Sequence, residues 1–314
     1  MPDLIRESFL LKSDSVVSQD LMDTFIAAQQ SGNYSNIAQY TQHHHTDQFS
    51  IYITHDIDWL NPLHPYSIVN YIRSVFSSHR WLHVQQFFQK DIFLRTIENI
   101  LTIERGAGVN AIYHIGATNG KSFQRYGIRY NQSDKLYSAL IYLLKSYNQH
   151  IGLHSSYDAD EQHLIQVEKI LLEKATTQTV NAHRSHFLHS HTQSLYPQLA
   201  QAGIRYEFGN GMAREIGLAG NIPGKYKPYD SISKKILDVT IVPLILMDNV
   251  FFVRPYHEVI RSFKETLHQV KEYNGSACIL FHPENMILKP QLWNYFEEII
   301  HICKQEGANI NPSL

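Results

Sequence analysis

The chain has 314 residues, with 27 Lys and Arg against 29 Asp and Glu, and 43% of its residues are hydrophobic. That composition supplies a large core and excludes bulk disorder, while 15 Gly and 11 Pro are too few for a collagen-like or low-complexity chain. A net charge of −2 offers no dense basic stripe for nucleic acid, and no run approaches the ~18 uninterrupted apolar residues of a membrane-spanning helix.

In chain order, residues 1–48 form a polar, Gln- and Ser-rich extension. It has one helical stretch, Asp20 to Gln30, and a His43-His44-His45 run that reads as a solvated loop. The first fifteen residues lack the basic region and the apolar stretch of about 7–15 residues that mark a signal peptide. Cys278 and Cys303 form no CxxC pair, so a cytoplasmic, reducing location is expected.

Residues 49–314 read as one α/β unit. Strands are predicted at 49–54, 109–115, 150–154, 180–183, 204–208, 239–242 and 277–281, from short runs of β-branched and aromatic residues. Several are continuously apolar, as strands covered on both faces are. Helices are predicted between them. Leu136, Leu140, Ile141 and Leu144 recur at helical spacing, as do Leu164, Val167, Ile170 and Leu171. Tyr256 to Tyr273 and Pro290 to Gln305 are further helices. This alternation implies a parallel sheet, and an open sheet and a closed barrel fit it equally.

Polar residues gather where the predicted strands end: Thr54-His55-Asp56-Ile57-Asp58, His154-Ser155-Ser156-Tyr157-Asp158, His183-Arg184-Ser185-His186-Phe187 and Phe281-His282-Pro283-Glu284. In parallel α/β folds these ends converge on one face, where active sites form. Asp56 and Asp58 alternate on a strand and so point the same way. Two such carboxylates repel unless a cation lies between them or one is protonated. His154 suits a metal as a neutral imidazole. Asp158 stands three residues before Glu161, a capping-box spacing, so helix capping competes with metal binding there. Arg184 can hold a carboxylate ionised. Pro283 restricts the backbone of His282, which suits a group that must present a proton in fixed geometry. No Gly-x-Gly-x-x-Gly or Walker-type loop calls for an organic cofactor.

Taken in this order, the clusters resemble the polysaccharide deacetylase family, the NodB-homology domain of carbohydrate esterases, over roughly residues 50 to 285. Thr54-His55-Asp56-Ile57-Asp58 is similar to its first motif, in a Thr-His-Asp-x-Asp form. His154-Ser155-x-x-Asp158 resembles the second, Arg184-Ser185-His186-Phe187 the third, and Leu280-Phe281-His282-Pro283 the last. The resemblance implies a distorted (β/α) barrel of about seven parallel strands. It also implies a metal-dependent hydrolase that removes an N-acetyl or related acyl group from a sugar or polysaccharide precursor. Asp56 then resembles the base, Arg184 the residue that orients it, and His282 the acid. Asp58 and His154 resemble metal ligands, with Asp158 or His186 completing the site. The metal implied is divalent, zinc first, with manganese, cobalt or iron as alternatives.

Four departures stand out. The two aspartates are one residue further apart than in the common motif, and Asp158 replaces the second metal His. His186 stands where the family often has Pro. Glu207 and Ala219 replace an Asp and an Arg of one subgroup. They motivate an alternative, an inactive glycan-binding protein on the same barrel. Another metal-dependent amidohydrolase acting on a small nucleotide sugar is a further rival. The expected partner is an acetylated sugar or glycan, with no nucleic acid and no membrane segment. The absence of an export signal points to surface-polysaccharide assembly.

Overall fold

The structure is a computed structural model that describes residues 48–60, 91–117, 130, 132–189, 192–219, 222–230, 232–233 and 235–314. The Asp20–Gln30 helix, the His43–His45 run and nearly all of the 1–48 extension lie outside these residues.

All seven predicted strands are present. They are β1 (Ser50–Ile57), β2 (Ile112–Ile115), β3 (His150–Ser155), β4 (Ala182–Ser185), β5 (Tyr206–Glu207), β8 (Thr240–Ile241) and β10 (Ser276–Leu280). Three more were not predicted: a small antiparallel pair, β6 (Tyr229–Asp230) with β7 (Lys235–Ile236), and β9 (Leu244–Met247). The main sheet is parallel, in the order β8-β5-β4-β3-β2-β1-β10-β9.

The two ends of this sheet come from one stretch of chain. Thr240–Ile241 pairs with β5, and Leu244–Met247 pairs with β10. Between them, Val242 N donates to Glu207 O at 2.8 Å, and Pro243 O accepts from Cys278 N at 2.8 Å. Leu244 N then donates to Asn210 O at 2.9 Å, in a bridge to Gly211. β8 and β9 therefore act as one bent strand that changes neighbours at Pro243, where a proline has no N–H to place. The sheet curls into a distorted barrel that counts seven strands around. The sequence pattern left open and closed sheets undecided, and this seam is the contact that separates them.

Gly211 is required at the seam. A Cβ there would lie 2.5 Å from Leu244 O, which is backbone and cannot yield. Gly211→Ala is expected to cost about 1–3 kcal/mol of stability, read as a lowered chemical-denaturation midpoint.

Strand alternation sorts the side chains into two cores. Ile51, Ile53, Ile57, Tyr113, Ala277 and Ile279 face outward into the layer under the helices. Tyr52, Ile112, Ala182, Phe208, Leu244, Cys278 and Leu280 pack inside the barrel. Both faces are buried, which is why these strands are near-continuously apolar.

The helices are α1 (Ile92–Ala107), α2 (Lys135–Ser146), α3 (Ile165–Thr176), α4 (Thr192–Gln201), α5 (Tyr256–Glu272), α6 (Pro283–Leu288) and α7 (Gln291–Gln305). α1 was given no bounds from the sequence, yet it buries Phe93, Ile97, Ile100, Leu101 and Glu104 at helical spacing and ends at Gly108, whose φ of 72° suits glycine. The predicted cap at Asp158 is a correction. α3 starts seven residues later, at Ile165, with Leu164 in the cap position. The intervening turn is pinned elsewhere: Asp160 O accepts from Ser194 Oγ at 2.9 Å and Gln198 Nε2 at 2.7 Å, both on α4.

Candidate metal centre and active site

The carboxyl ends of β1, β3, β4, β9 and β10 meet at one mouth of the barrel. Asp56 is the deepest charge. Its Oδ1 accepts from Arg184 Nη1 at 2.8 Å and lies 3.3 Å from His114 Nδ1. Burial alone would raise the Asp56 carboxyl, but the Arg184 guanidinium, together with the His154 and His114 imidazoles, outweighs burial and holds it well below the usual carboxylate range. Arg184 is completely buried, donates through Nε to Phe208 O at 3.0 Å, and lies 3.6 Å from Cys278 Sγ through Nη2. Burial and the same guanidinium push His114 down to about 3, so this imidazole is neutral. Its place is set by Gly152, where a Cβ would come within 2.6 Å of the His114 ring.

Above this pair, three side chains turn donor atoms toward one another. Asp58 Oδ1 is 3.2 Å from His154 Nε2 and 3.4 Å from His186 Nδ1. His154 Nε2 and His186 Nδ1 are 3.0 Å apart. His154 Nδ1 lies 3.0 Å from Arg184 O, a bond that places a proton on Nδ1 and leaves the Nε2 lone pair facing the cluster. Burial opposes ionisation of Asp58, but the two imidazoles hold its carboxyl well below the ordinary range. Donor atoms ~2.0–2.2 Å from one ion at tetrahedral angles stand roughly 3.3–3.6 Å apart. The three separations lie within a few tenths of an ångström of that. One oxygen and two imidazole nitrogens also form a donor set suited to zinc and its neighbours.

His186 reaches inward from a tight turn, His186–Leu188, directly after β4. Phe187 and Leu188 both have positive φ, 61° and 54°. Two successive non-glycine residues in this region are costly, about 1–3 kcal/mol each, and such strain persists where the surroundings fix it.

On the other side of the mouth, His282 is held by Asp248. Asp248 Oδ2 accepts from His282 N at 2.8 Å, and Oδ1 lies 2.7 Å from His282 Nδ1. Asn285 Nδ2 also donates to Asp248 Oδ2, at 3.1 Å. Burial disfavours charge on His282, but the buried Asp248 carboxylate wins and lifts the imidazole to about 10. Beside it, burial and the nearby Asp58 push the Glu284 carboxyl up to about 8.

The mouth therefore brings together Asp56, Asp58, His154, Arg184, His186 and His282. Among the described residues, the group able to hold a metal is Asp58, His154 and His186, and Asp158 is not in it. His55, directly before the first motif aspartate, faces the other way. Its Nδ1 is 2.7 Å from Phe281 O, and its Nε2 is 2.8 Å from Glu104 Oε1. Asp248 and His114 were not singled out from the sequence. Asp248 follows the apolar run Leu244–Met247, so the strand-end rule that picked Asp56 and His282 would have found it.

No family model matches the chain, and no curated protein matches it in sequence. Solved structures do. A protein assigned as a polysaccharide deacetylase from Mycobacterium smegmatis is 11% identical, with a TM-score of 0.47, over 85% of this chain and 94% of its own. One from Bordetella bronchiseptica, assigned to O-antigen biosynthesis, is 13% identical with a TM-score of 0.40, over 85% and 87%. A family 4 carbohydrate esterase from Streptomyces lividans is 9% identical with a TM-score of 0.42, over 84% and 92%.

Proposed function

We propose that the chain is a metal-dependent deacetylase that hydrolyses an N-acetyl or related N-acyl group on a sugar or polysaccharide precursor. One observation carries this reading. A three-donor cluster that fits a divalent cation lies between a carboxylate kept ionised, Asp56, and an imidazole kept protonated, His282. Amide hydrolysis needs a base and an acid in opposite protonation states at one pH, and environments that push two groups apart supply them.

Asp58, His154 and His186 would hold the cation. When bound, it supplies Lewis acidity toward the carbonyl oxygen and lowers the pKa of water. Zinc is the first choice, with manganese, cobalt or iron as alternatives. Asp56 accepts a proton from the attacking water, and Arg184 keeps Asp56 ionised until then. His282 has Nδ1 committed to Asp248, so Nε2 gives its proton to the amine nitrogen as the carbon–nitrogen bond breaks. Acetate and a free amine leave.

The test is acetate release from N-acetylated sugars, monomeric and polymeric, by protein loaded with Zn²⁺ or Co²⁺. Release that a chelator stops and added metal restores is the expected result. No release from any of them, together with retained glycan binding, would favour an inactive binding protein.

The Asp248–His282 pair gives a further check. The raised His282 pKa keeps the acid protonated through neutrality, so activity should fall only as pH rises through about 10. Asp248→Asn removes the anion, and the alkaline limb should move down toward the ordinary imidazole value of ~6.5. At pH 8 this leaves a few per cent of the acid form and a rate loss of roughly 30-fold. A pH–rate profile of the variant reads it directly.

A further inference from the structure

Asp58 lies one residue beyond the sheet. The ladder of β1 with β10 reaches Thr54 opposite Leu280, and the ladder with β2 reaches Ile57 opposite Ile115. Among the described residues neither ladder reaches Asp58, and Trp59 beyond it stands in an isolated bridge. Yet Asp58 Oδ1 lies 3.2 and 3.4 Å from two imidazole nitrogens, His154 on β3 and His186 on the turn directly after β4.

The N–H groups of Asp58 and Trp59 are both taken by one side chain. Glu284 Oε1 accepts from Asp58 N at 2.8 Å and from Trp59 N at 3.0 Å. Glu284 is 3% exposed, so water does not compete for these bonds, and its Oε2 has no hydrogen-bond partner among the described residues. It sits in the first turn of α6, two residues after His282. A carboxylate here is costly, because it is buried and close to Asp58. A side chain needed only to fill space would not be a half-satisfied acid.

We infer that Glu284 is a positioning residue for the cation site: by holding the Asp58 and Trp59 peptide N–H groups on one oxygen, it extends the fixed part of β1 past the ladder and sets the Asp58 carboxylate opposite His154 and His186. The inference rests on the metal-site reading above. It makes the cation site on β1 depend on the segment that also carries His282. Loss of such supporting contacts typically weakens metal binding by about 10–100-fold.

The experiment is titration of the metal-free protein with Co²⁺, following visible absorption and dissociation constant, for wild type, Glu284→Gln and Glu284→Ala. Gln keeps an oxygen acceptor for both N–H groups, whereas Ala keeps none. The expected result is near-wild-type affinity and spectrum for Gln, and affinity weakened about 10–100-fold with an altered spectrum for Ala. If Glu284→Ala does not fold, Glu284→Asp replaces it, since that change draws the acceptor back by one methylene. Wild-type affinity and spectrum in Ala or Asp, with only the melting temperature lowered, would make Glu284 a structural residue and overturn the proposal. Equal weakening in Gln and Ala would also overturn it, by assigning the effect to charge. No Co²⁺ binding by wild type would instead overturn the metal reading itself, and this inference with it.

Discussion

Asp56→Asn should lower kcat by about 10³-fold while metal content stays unchanged. The amide is isosteric but cannot take a proton from water at neutral pH. Its oxygen can still accept from Arg184 Nη1, which bonds Asp56 Oδ1 at 2.8 Å, so the fold should survive. Some stability will be lost, because a buried guanidinium without its counter-charge is expensive, and breaking such a pair costs about 3–5 kcal/mol when nothing replaces it. Circular dichroism and elemental analysis of the same preparation separate this loss from the catalytic one. A variant that is folded, metal-loaded and fully active would remove Asp56 from the mechanism.

The second large effect concerns the metal. His154→Ala and His186→Ala should each reduce bound Zn²⁺ from about one ion per chain to near zero after dialysis, and abolish turnover. Asp158→Ala should keep about one ion per chain. The contrast matters because both His186 and Asp158 were open from the sequence as the third ligand. His186 Nδ1 is 3.0 Å from His154 Nε2, and Asp158 is outside the cluster. Retention of zinc in His186→Ala, with loss in Asp158→Ala, would reverse the assignment.

Much of the fold was legible because parallel strands covered on both sides read as short apolar runs. The predicted 49–54 strand proved to run to Ile57, since Asp56 is inward and paired, which sequence cannot show. The alternation of Asp56 and Asp58 put both carboxylates on one side of the strand, and both lie near His154 Nε2, at 4.0 and 3.2 Å. What stayed hidden depends on three-dimensional neighbours. Leu244–Met247 follows the 239–242 run after a single proline, so only the first was read as a strand and Asp248 went unseen. His114 sits inside a predicted strand, and its role depends on Gly152 and Arg184 being beside it. The capping-box spacing at Asp158 was a real local signal overridden by tertiary contacts: its segment docks on α4 through Asp160 O, and the helix starts later.

The barrel is unevenly closed, and that has a dynamic consequence. β1 and β10 are joined along five residue pairs, whereas the seam between the chain after β5 and β9 holds the Gly211–Leu244 bridge and a bond from Gly217 N to Ile245 O at 3.1 Å. Local openings follow the thinnest set of bonds. In a hydrogen–deuterium exchange time course, the Leu244 amide should take up deuterium well before those of Ile53 or Ile279. Such breathing leaves β1 to β4 joined, and these strands and the turn after β4 carry Asp58, His154 and His186. It loosens the outer side of β9, the strand that leads to Asp248 and stays paired with β10. The cation would then stay in place while the proton donor's anchor loosens, so the seam separates retention of the ion from alignment of the acid.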